Sequence, residues 1–247
     1  MAEEPHLILA VESATSVVSV ALLRGEVLVD EWTSEDARAP SERLLPGIDA
    51  LLARTGTPLG AIAAFAVSVG PGSFTGLRVG IATVKGLAFA SGRRVAAVPT
   101  LAALAHAGAD GRAPVAALLD ARRGEVYAAV YGADGATLVA ETVAKPAALA
   151  ERLAPGTRIV AGEGAEAAAA ELAALRGADV VVLRRPIGLA RARAVGVLGA
   201  RLLARGAGID APQVAPRYVR RAEAEARRTG EPLESERGRT RSGDGVK

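Results

Sequence analysis

Two acidic residues end predicted strands in this 247-residue chain and are its first candidates for chemistry. Glu12 closes an apolar run that begins at Leu7, and Asp120 closes a second run that begins at Val115. If the two carboxylates faced each other across a cleft, they could hold Mg2+ for an ATP-dependent kinase or hydrolase. The alternative is that both are solvated at their strand ends or cap the turns that follow. The residues alone leave these two interpretations open.

A glycine-rich turn with the sequence Gly-Pro-Gly-Ser at 70–73 is a second candidate. It follows the apolar run Ile62–Val69 and precedes a helical pattern, so its backbone amides could bind a phosphate. It lacks the Gly-Lys-Ser/Thr ending of a P-loop, and its glycine spacing is one residue too long for the dinucleotide fingerprint. Gly70, Gly72 and Ser73 are therefore candidate phosphate or nucleotide contacts, with a tight turn and close helix packing as the alternative.

The chain offers few other groups for catalysis. Ser73 lacks the Gly-x-Ser-x-Gly context of a nucleophile elbow and is predicted to cap the helix that follows it. The two histidines, His6 and His106, are far apart in the sequence, and the chain contains no cysteine. Zinc sites need clusters of such residues. We therefore predict no catalytic residue, no metal site and no tightly bound cofactor.

The helix predicted over residues 73–89 carries a stripe of glycine. Gly72, Gly76 and Gly80 are four residues apart, a spacing that places them on one side of a helix. Glycine inside a helix costs up to about 1 kcal/mol relative to alanine, so a stripe of it indicates the close approach of another backbone. That backbone could belong to the same fold or to a partner across an interface.

The order of predicted elements repeats once along the chain. Each half begins with three short strands and continues with strands and helices in alternation. The predicted helices are 41–54, 73–89, 100–107, 163–176 and 187–205. This order predicts an α/β chain of two β-β-β-α-β-α halves, which resembles the duplicated ribonuclease-H-like fold of actin, sugar kinases and heat-shock ATPases. The halves are predicted to span residues 1–110 and 111–220.

The composition limits the kinds of molecule that we expect this chain to bind. The formal charge is +3 and aromatic residues make up 3% of the chain, which argues against a base-stacking surface. No apolar run of about 20 residues predicts a membrane span, and the acidic start does not resemble a signal peptide, so we expect a cytoplasmic location. Residues 221–247 are rich in arginine and glutamate and are predicted to be disordered and solvated. RNA contact through those arginines is the alternative.

The helices predicted at 41–54 and 73–89 are the better functional candidates. The first has an apolar face, and the second has a face of small residues. Small residues let two helices approach toward the short end of the usual separation of about 8–10 Å. Two such helices could pair with two from another subunit. The alternative is that both simply cover their own sheet.

Together these residues resemble the TsaB family, whose members take part in making threonylcarbamoyladenosine on tRNA. The similarity runs from Leu7 to about Arg220, and its most specific piece is Gly-Pro-Gly-Ser-Phe-Thr-Gly-Leu-Arg-Val-Gly-Ile at 70–81. Supporting pieces lie at 10–15, 43–46, 120–127 and 216–220. Two positions depart from the family pattern. Pro-Ser stands at 40–41 where relatives commonly have His-Ser or His-Thr, and Glu12 stands where the first strand often ends in Asp.

The resemblance implies a subunit that does not perform the transfer itself. In that family TsaD holds the metal and the active site, TsaE supplies ATPase activity, and TsaB docks on TsaD through its first-half helices or self-associates through the same surface. It thus implies a non-catalytic subunit that binds a TsaD-like partner and reaches tRNA through the complex. ATP or ADP and Mg2+ are expected only at the level of that complex. The implied interface residues are Leu44, Leu45, Ile48, Gly76, Gly80 and Thr83.

This hypothesis carries an expectation for the glycine stripe. Gly76→Leu or Gly80→Leu should block docking and leave the fold largely intact. The competing hypotheses are an ATP-dependent kinase or hydrolase that uses Glu12 and Asp120 with Mg2+, and an RNA-binding module that uses the arginine-rich tail.

Overall fold

A computed structural model describes residues 6–34, 39–183 and 191–219 of the chain. The strands and helices of the first part are β1 (Leu7–Glu12), β2 (Val18–Arg24), β3 (Val27–Ser34), α1 (Pro40–Thr55), β4 (Ala64–Ser68), α2 (Phe74–Ser91), β5 (Arg94–Val98) and α3 (Thr100–Gly108). Those of the second part are β6 (Val115–Asp120), β7 (Val126–Tyr131), β8 (Thr137–Ala144), α4 (Pro146–Ala150), β9 (Thr157–Ala161), α5 (Glu166–Arg176), β10 (Val180–Val182) and α6 (Ala192–Ala204).

Two five-stranded sheets share one topology. The first has the order β3-β2-β1-β4-β5, and the second has the equivalent order β8-β7-β6-β9-β10. In each sheet the first three strands are antiparallel, and the last two run parallel to the first. This confirms the predicted duplicated ribonuclease-H-like fold. Glu12 and Asp120 hold equivalent places, because each is the last residue of the central strand of its sheet.

The central strand β1 is buried on both faces, as its unbroken apolar run requires. Ile8 and Ala10 point into the apolar cluster that contains residues of α3 and α6, whereas Leu9 and Val11 point into the cluster that contains residues of α1 and α2. Successive side chains of a strand point to opposite faces, so one six-residue strand contributes to two cores.

The two halves exchange helices. The sheets divide at the predicted boundary near residue 110, but α3 packs on β6, β7 and β9 of the second sheet, and α6 packs on β1, β2, β4 and β5 of the first. An added Cβ at Gly108 would approach Val160 across the first contact. The halves 1–110 and 111–220 are therefore not separate packing units. The tail beyond Val219 lies outside the described residues.

The second half differs from its prediction in two helices. The helix α4 was not predicted, because five residues are too few for a helical period to show. The helix predicted at 187–205 is observed from Ala192 to Ala204, and residues 187–190 lie outside the described residues. Both helices predicted for the first two crossovers of the first half are confirmed to within one residue at their N-termini.

The glycine stripe of α2 packs against its own chain. Ser73 caps the helix as predicted, since its Oγ accepts a hydrogen bond of 3.2 Å from the amide of Gly76. A Cβ at Gly76 would overlap the carbonyl oxygen of Ser13, and a Cβ at Gly80 would overlap the Ser13 hydroxyl. That hydroxyl also donates to the Gly76 carbonyl at 2.9 Å. The expectation that leucine at Gly76 or Gly80 leaves the fold intact is therefore wrong, because the space beside both glycines is already filled.

Alanine substitutions along α2 should separate the two kinds of glycine. We expect Gly76→Ala to lower the free energy of unfolding by about 1–3 kcal/mol, the usual range for overpacking. Gly86 lies on the exposed side of the same helix, and an added Cβ there meets nothing within 4 Å. Gly86→Ala should raise the free energy of unfolding by up to about 1 kcal/mol. Urea titration of both variants measures the difference, and equal effects would contradict the assignment.

Candidate functional site

A cleft of about 770 Å³ lies between the two sheets. It opens at the ends of the central strands, where the turn after β1 faces the turns after β6 and β9. The residues that line it are Ala14, Thr15, Ser16, Pro40, Arg43, Gly72, Ser73, Phe74, Leu119, Asp120, Ala121, Arg122, Tyr127, Glu163 and Gly164. The cleft therefore collects Asp120, Gly72 and Ser73 from the predicted site residues, but Glu12 does not line it.

Glu12 is turned into the protein and holds its own loop. The residue is fully buried, and its Oε1 accepts a hydrogen bond of 2.6 Å from the amide of Ala14. Burial raises the pKa of the Glu12 carboxyl from 4.5 to about 7, against the opposing effect of the hydrogen bond that it accepts from the Ala14 amide. Glu12 thus caps the turn after β1, as the structural alternative held.

Asp120 faces the cleft and organises a hairpin. Its Oδ1 accepts the amide of Arg122 at 2.7 Å, and its Oδ2 pairs with the Arg122 guanidinium at 3.3 Å. Arg122 and Arg123 both have left-handed backbone conformations, with φ of 64° and 58°. Such conformations are uncommon for residues with a side chain. The Asp120 carboxylate is therefore a turn-stabilising group here.

This arrangement does not fit the Mg2+ pair of the alternative kinase or hydrolase hypothesis. Glu12 points away from the cleft that Asp120 lines, so the two carboxylates do not converge on one space. Among the described residues no group of three or more histidine, cysteine, aspartate or glutamate side chains is placed to hold a metal ion. The geometry on which the kinase or hydrolase hypothesis rests is not formed.

The glycine-rich turn uses its amides within the chain. The amide of Gly70 donates to the Thr100 hydroxyl at 3.1 Å, and the amide of Ser73 donates to the Ala14 carbonyl at 2.7 Å. Gly72 packs against Ala14, where a Cβ would overlap its carbonyl oxygen. These contacts favour the tight turn over a phosphate site.

The predicted interface residues divide into core and surface. Leu44 and Ile48 are buried in the core of the first half, as are Gly76 and Gly80 on α2. Leu45 is 52% exposed, and Thr83 is partly exposed. The apolar residues of α1 form one face of the helix, as predicted, and this face packs on the sheet of its own half. Leu45 follows Leu44 directly and therefore lies about 100° around the helix from it.

An exposed face of α1 and α2 was missed by the sequence analysis. Phe89 is 76% exposed and Phe74 is 44% exposed, and Ala82 and Gly86 lie between them on the surface of α2. We call these residues, with Leu45 of α1, the outer helix face. The available signal was a second set of small and apolar residues at helical spacing, displaced from the glycine stripe.

The chain segment after α6 extends the outer helix face. The ammonium group of Lys85 on α2 donates to the carbonyls of Pro212 and Val214 at 3.2 and 3.1 Å. This anchoring brings Tyr218 against Phe74, with ring centroids 5.4 Å apart. The Arg78 guanidinium lies over the same Phe74 ring at 5.2 Å. The end of α2 next to the cleft therefore presents two aromatic rings and a cation.

Comparison with known proteins shows a family model and a solved structure to which this chain is similar. The family model described as TsaD, tRNA N6-adenosine threonylcarbamoyltransferase, matches residues 32–226. The solved structure of YeaZ from Pseudomonas aeruginosa is 32% identical with a TM-score of 0.71, and the match covers 86% of this chain and 99% of that one.

The curated relatives of this chain include several members of one protein family. The tRNA threonylcarbamoyladenosine biosynthesis protein TsaB of Escherichia coli is 38% identical over 59% of this chain and 65% of its own length. The TsaB of Haemophilus influenzae is 41% identical over 49% of this chain and 51% of its own length. The match thus spans between about half and two thirds of these curated relatives. The chain belongs to the TsaB family.

In the part of the chain that the structure describes, no helix is both long enough and apolar enough to cross a bilayer.

The buried Glu12 carboxyl should make stability depend on pH. Its pKa is about 7 in the folded protein against an ordinary value of 4.5, so the folded state binds more protons between these values and stability falls as pH rises through that window. The loss amounts to up to about 3 kcal/mol. Glu12→Gln keeps the shape without the charge, so it should flatten this dependence and be more stable than wild type at pH 8.

Urea titrations of both proteins at pH 5 and pH 8 measure this effect. Burial also raises the pKa of the partly buried Glu141, so Glu141→Gln serves as a control for a second carboxyl whose pKa is raised. If Glu12→Gln changed stability by the same amount at both pH values, the assigned charge effect would be wrong.

Proposed function

We propose that this chain is a non-catalytic subunit of the complex that makes threonylcarbamoyladenosine on tRNA, at the adenosine next to the anticodon. In that complex it binds and supports a TsaD-like catalytic subunit. The names of the TsaB relatives and the match to the TsaD family model support the pathway and the partner. The observation that carries the proposal is the outer helix face, whose apolar residues on α1 and α2 are exposed in the part of the chain that the structure describes.

Gly86 is the strongest indication of an external partner on this face. Glycine within an exposed helix costs about 1 kcal/mol relative to alanine. At Gly76 and Gly80 close packing against Ser13 explains the glycine, but the space beside Gly86 is open. Packing among the described residues does not explain Gly86. It lies one helical turn after the exposed Ala82, and two small residues at this spacing let the backbone of another helix come close.

Large apolar side chains flank this small-residue groove. Phe89 and Leu45 are 76% and 52% exposed, on two helices that contact each other. Exposed apolar patches mark sites of protein–protein contact. Aromatic side chains are frequent anchors at protein interfaces. Small residues for close approach and large ones for anchoring together make a surface suited to helix–helix docking. Of the interface residues that the resemblance implied, Leu45 and Thr83 are at the surface and belong to the proposed interface. The other four are buried and support the two helices from inside the protein: Leu44, Ile48, Gly76 and Gly80.

The non-catalytic role rests on what the cleft residues do. Glu12 caps its own loop, Asp120 holds a hairpin, and Ser73 caps α2. Each candidate catalytic group is thus occupied by a structural contact. In the proposed complex, ATP or ADP and Mg2+ enter with the catalytic and TsaE-like subunits, tRNA is reached through the complex, and the location is the cytoplasm.

Substitutions on the outer helix face should weaken docking without unfolding the chain. We expect Gly86→Leu and Phe89→Ser each to weaken binding to a TsaD-like subunit from the same organism by at least about tenfold. Loss of an interface anchor such as Phe89 costs about 2 kcal/mol or more, and the leucine at position 86 would block the close approach of a partner helix. Isothermal titration calorimetry of the purified subunits measures the dissociation constants.

The matched control is Leu175→Ser on α5 of the second half, since Leu175 is 54% exposed and lies away from both helices. It should bind like wild type. Urea titration must show that Gly86→Leu is at least as stable as wild type, because its side chain meets no described residue within 4 Å of the added Cβ and leucine favours the helix over glycine. Wild-type affinity in both Gly86→Leu and Phe89→Ser would refute this interface.

Self-association should use the same face. In the absence of the TsaD-like subunit, we propose that two copies pair through their outer helix faces. Sedimentation velocity over a concentration series should show a monomer–dimer equilibrium in wild type and a shift to monomer in Phe89→Ser. Adding the TsaD-like subunit should replace the homodimer by a heterodimer. A homodimer that persists in Phe89→Ser, or that binds the partner without dissociating, would contradict a shared surface.

A further inference from the structure

The α1 side of the outer helix face is acidic. Glu42 and Asp49 are exposed, and they lie three residues before and four residues after Leu45. Residues at these spacings share one side of a helix, so the exposed Leu45 lies between two carboxylates. In the part of the chain that the structure describes, neither carboxylate forms an ion pair. We call Glu42 and Asp49 the acidic edge.

The α2 side of the same face is basic. Arg78 is exposed and Lys85 is partly exposed, and they lie four residues before and three residues after Ala82, so they share its side of the helix. Among the described residues, Arg78 pairs with no carboxylate. The ammonium group of Lys85 donates to the uncharged carbonyls of Pro212 and Val214, which leave its charge uncompensated. We call Arg78 and Lys85 the basic edge.

Arg78 is held in position before a partner binds. Its guanidinium lies over the Phe74 ring at 5.2 Å, and that ring stacks on Tyr218 with centroids 5.4 Å apart. A guanidinium stacked on a ring keeps its N–H donors at its rim, where they can bind a carboxylate. Because the side chain is already ordered, pairing with a carboxylate costs less conformational entropy.

The acidic and basic edges have the same spacing. Seven residues separate Glu42 from Asp49, and seven separate Arg78 from Lys85, which is roughly 10.5 Å along each helix. Glu42 is the third residue of α1 and Arg78 is the fifth residue of α2, so the edges begin at nearly the same distance from the helix N-termini. Two ion pairs can therefore form at once when α1 of one copy lies along α2 of another copy in the same direction.

The two helices of one copy run in the same direction. Each connects strands that are parallel in the first sheet, and both begin at the cleft, which Pro40 and Phe74 line. The two-fold axis of a dimer can lie along these helices or across them. An axis along the helices places α1 of each copy over α2 of the other, with both clefts at the same end. An axis across the helices places α1 over α1 and α2 over α2.

The charges favour the axis along the helices. In that arrangement the acidic edge of each copy faces the basic edge of the other, and each contact forms twice because the interface is isologous. In the other arrangement each edge faces a copy of itself, and like charges repel. We propose that two copies of this chain pair about an axis along α1 and α2, with Glu42 opposite Arg78 and Asp49 opposite Lys85.

This inference rests on the proposed self-association through the outer helix face, and it adds the orientation and the charge specificity of that contact. A TsaD-like subunit that replaces the second copy must then present basic side chains to α1 and acidic side chains to α2. An apolar helix pair with the reverse layout is rejected by like charges, so the two edges select among partners that could otherwise dock on the same face.

Two charge-reversed variants test the orientation by sedimentation velocity in about 50 mM salt, where screening is weak. Arg78→Glu and Glu42→Arg each place like charges together twice in their own homodimers, so both dissociation constants should rise at least about tenfold. In an equimolar mixture of the two variants, both contacts between position 42 and position 78 again join opposite charges. A heterodimer should therefore form with a dissociation constant within about threefold of that of wild type.

Glu166→Arg is the matched control for Glu42→Arg, because Glu166 is also an exposed glutamate in the first turn of a helix. It should dimerise like wild type. Circular dichroism checks that each variant is folded. The pair Lys85→Glu and Asp49→Arg tests the second contact in the same way and replaces the first pair if one of its members does not fold.

The outcomes separate the orientation from the interface itself. If both reversed variants dimerise like wild type while Phe89→Ser does not, the orientation is wrong and the proposed interface stands. A mixture of folded variants that stays monomeric overturns the orientation as well. If wild type is monomeric at every concentration, the proposed self-association fails, and this inference fails with it.

Discussion

The contact between α2 and the turn after β1 is the constraint on which the rest of the structure depends. Gly76 and Gly80 leave no room between the helix and Ser13, and the Ser13 hydroxyl donates back to the Gly76 carbonyl. Backbone packed this closely against backbone fixes both the path of the turn and the orientation of the helix. Because the glycine side of α2 packs against the turn after β1, the opposite side of the helix faces outward. The outer helix face is therefore a consequence of internal packing.

The same turn connects every part of the candidate site. Within a few residues it accepts a hydrogen bond from Arg43 of α1, supports α2, places Glu12 beneath itself and meets Glu163 from the second half. Polar groups at this end of the cleft contact one another across it. Carboxylates stand at the turn amides, so the cleft is held by contacts within the chain. Such a body suits a subunit that presents a fixed surface to a partner.

The exchange of α3 and α6 between the halves adds to this rigidity. Each helix packs on the sheet of the other half, and the two helices touch each other between the sheets. Residues of both sheets consequently share one apolar cluster. Hinge motion of one half against the other would have to separate this cluster, which opposes the hydrophobic driving force of burial. Helix exchange and the Glu163 contact thus act in the same direction.

The sequence by itself determined the duplicated fold, the strand-end places of Glu12 and Asp120, and the cap at Ser73. These features depend on the periodicity of apolar residues and on turn-forming residues, and both can be recognised within a short stretch of sequence. Tertiary structure decided what each group faces. The glycine stripe indicated a close approach but not whose backbone would approach, and Glu12 and Asp120 have equivalent positions but opposite surroundings. Nothing in the spacing of α1 distinguishes a face that covers its own sheet from one that meets a partner. Which side of a helix is buried, and which carboxylate reaches an amide 147 residues away, depends on long-range packing that no local pattern encodes.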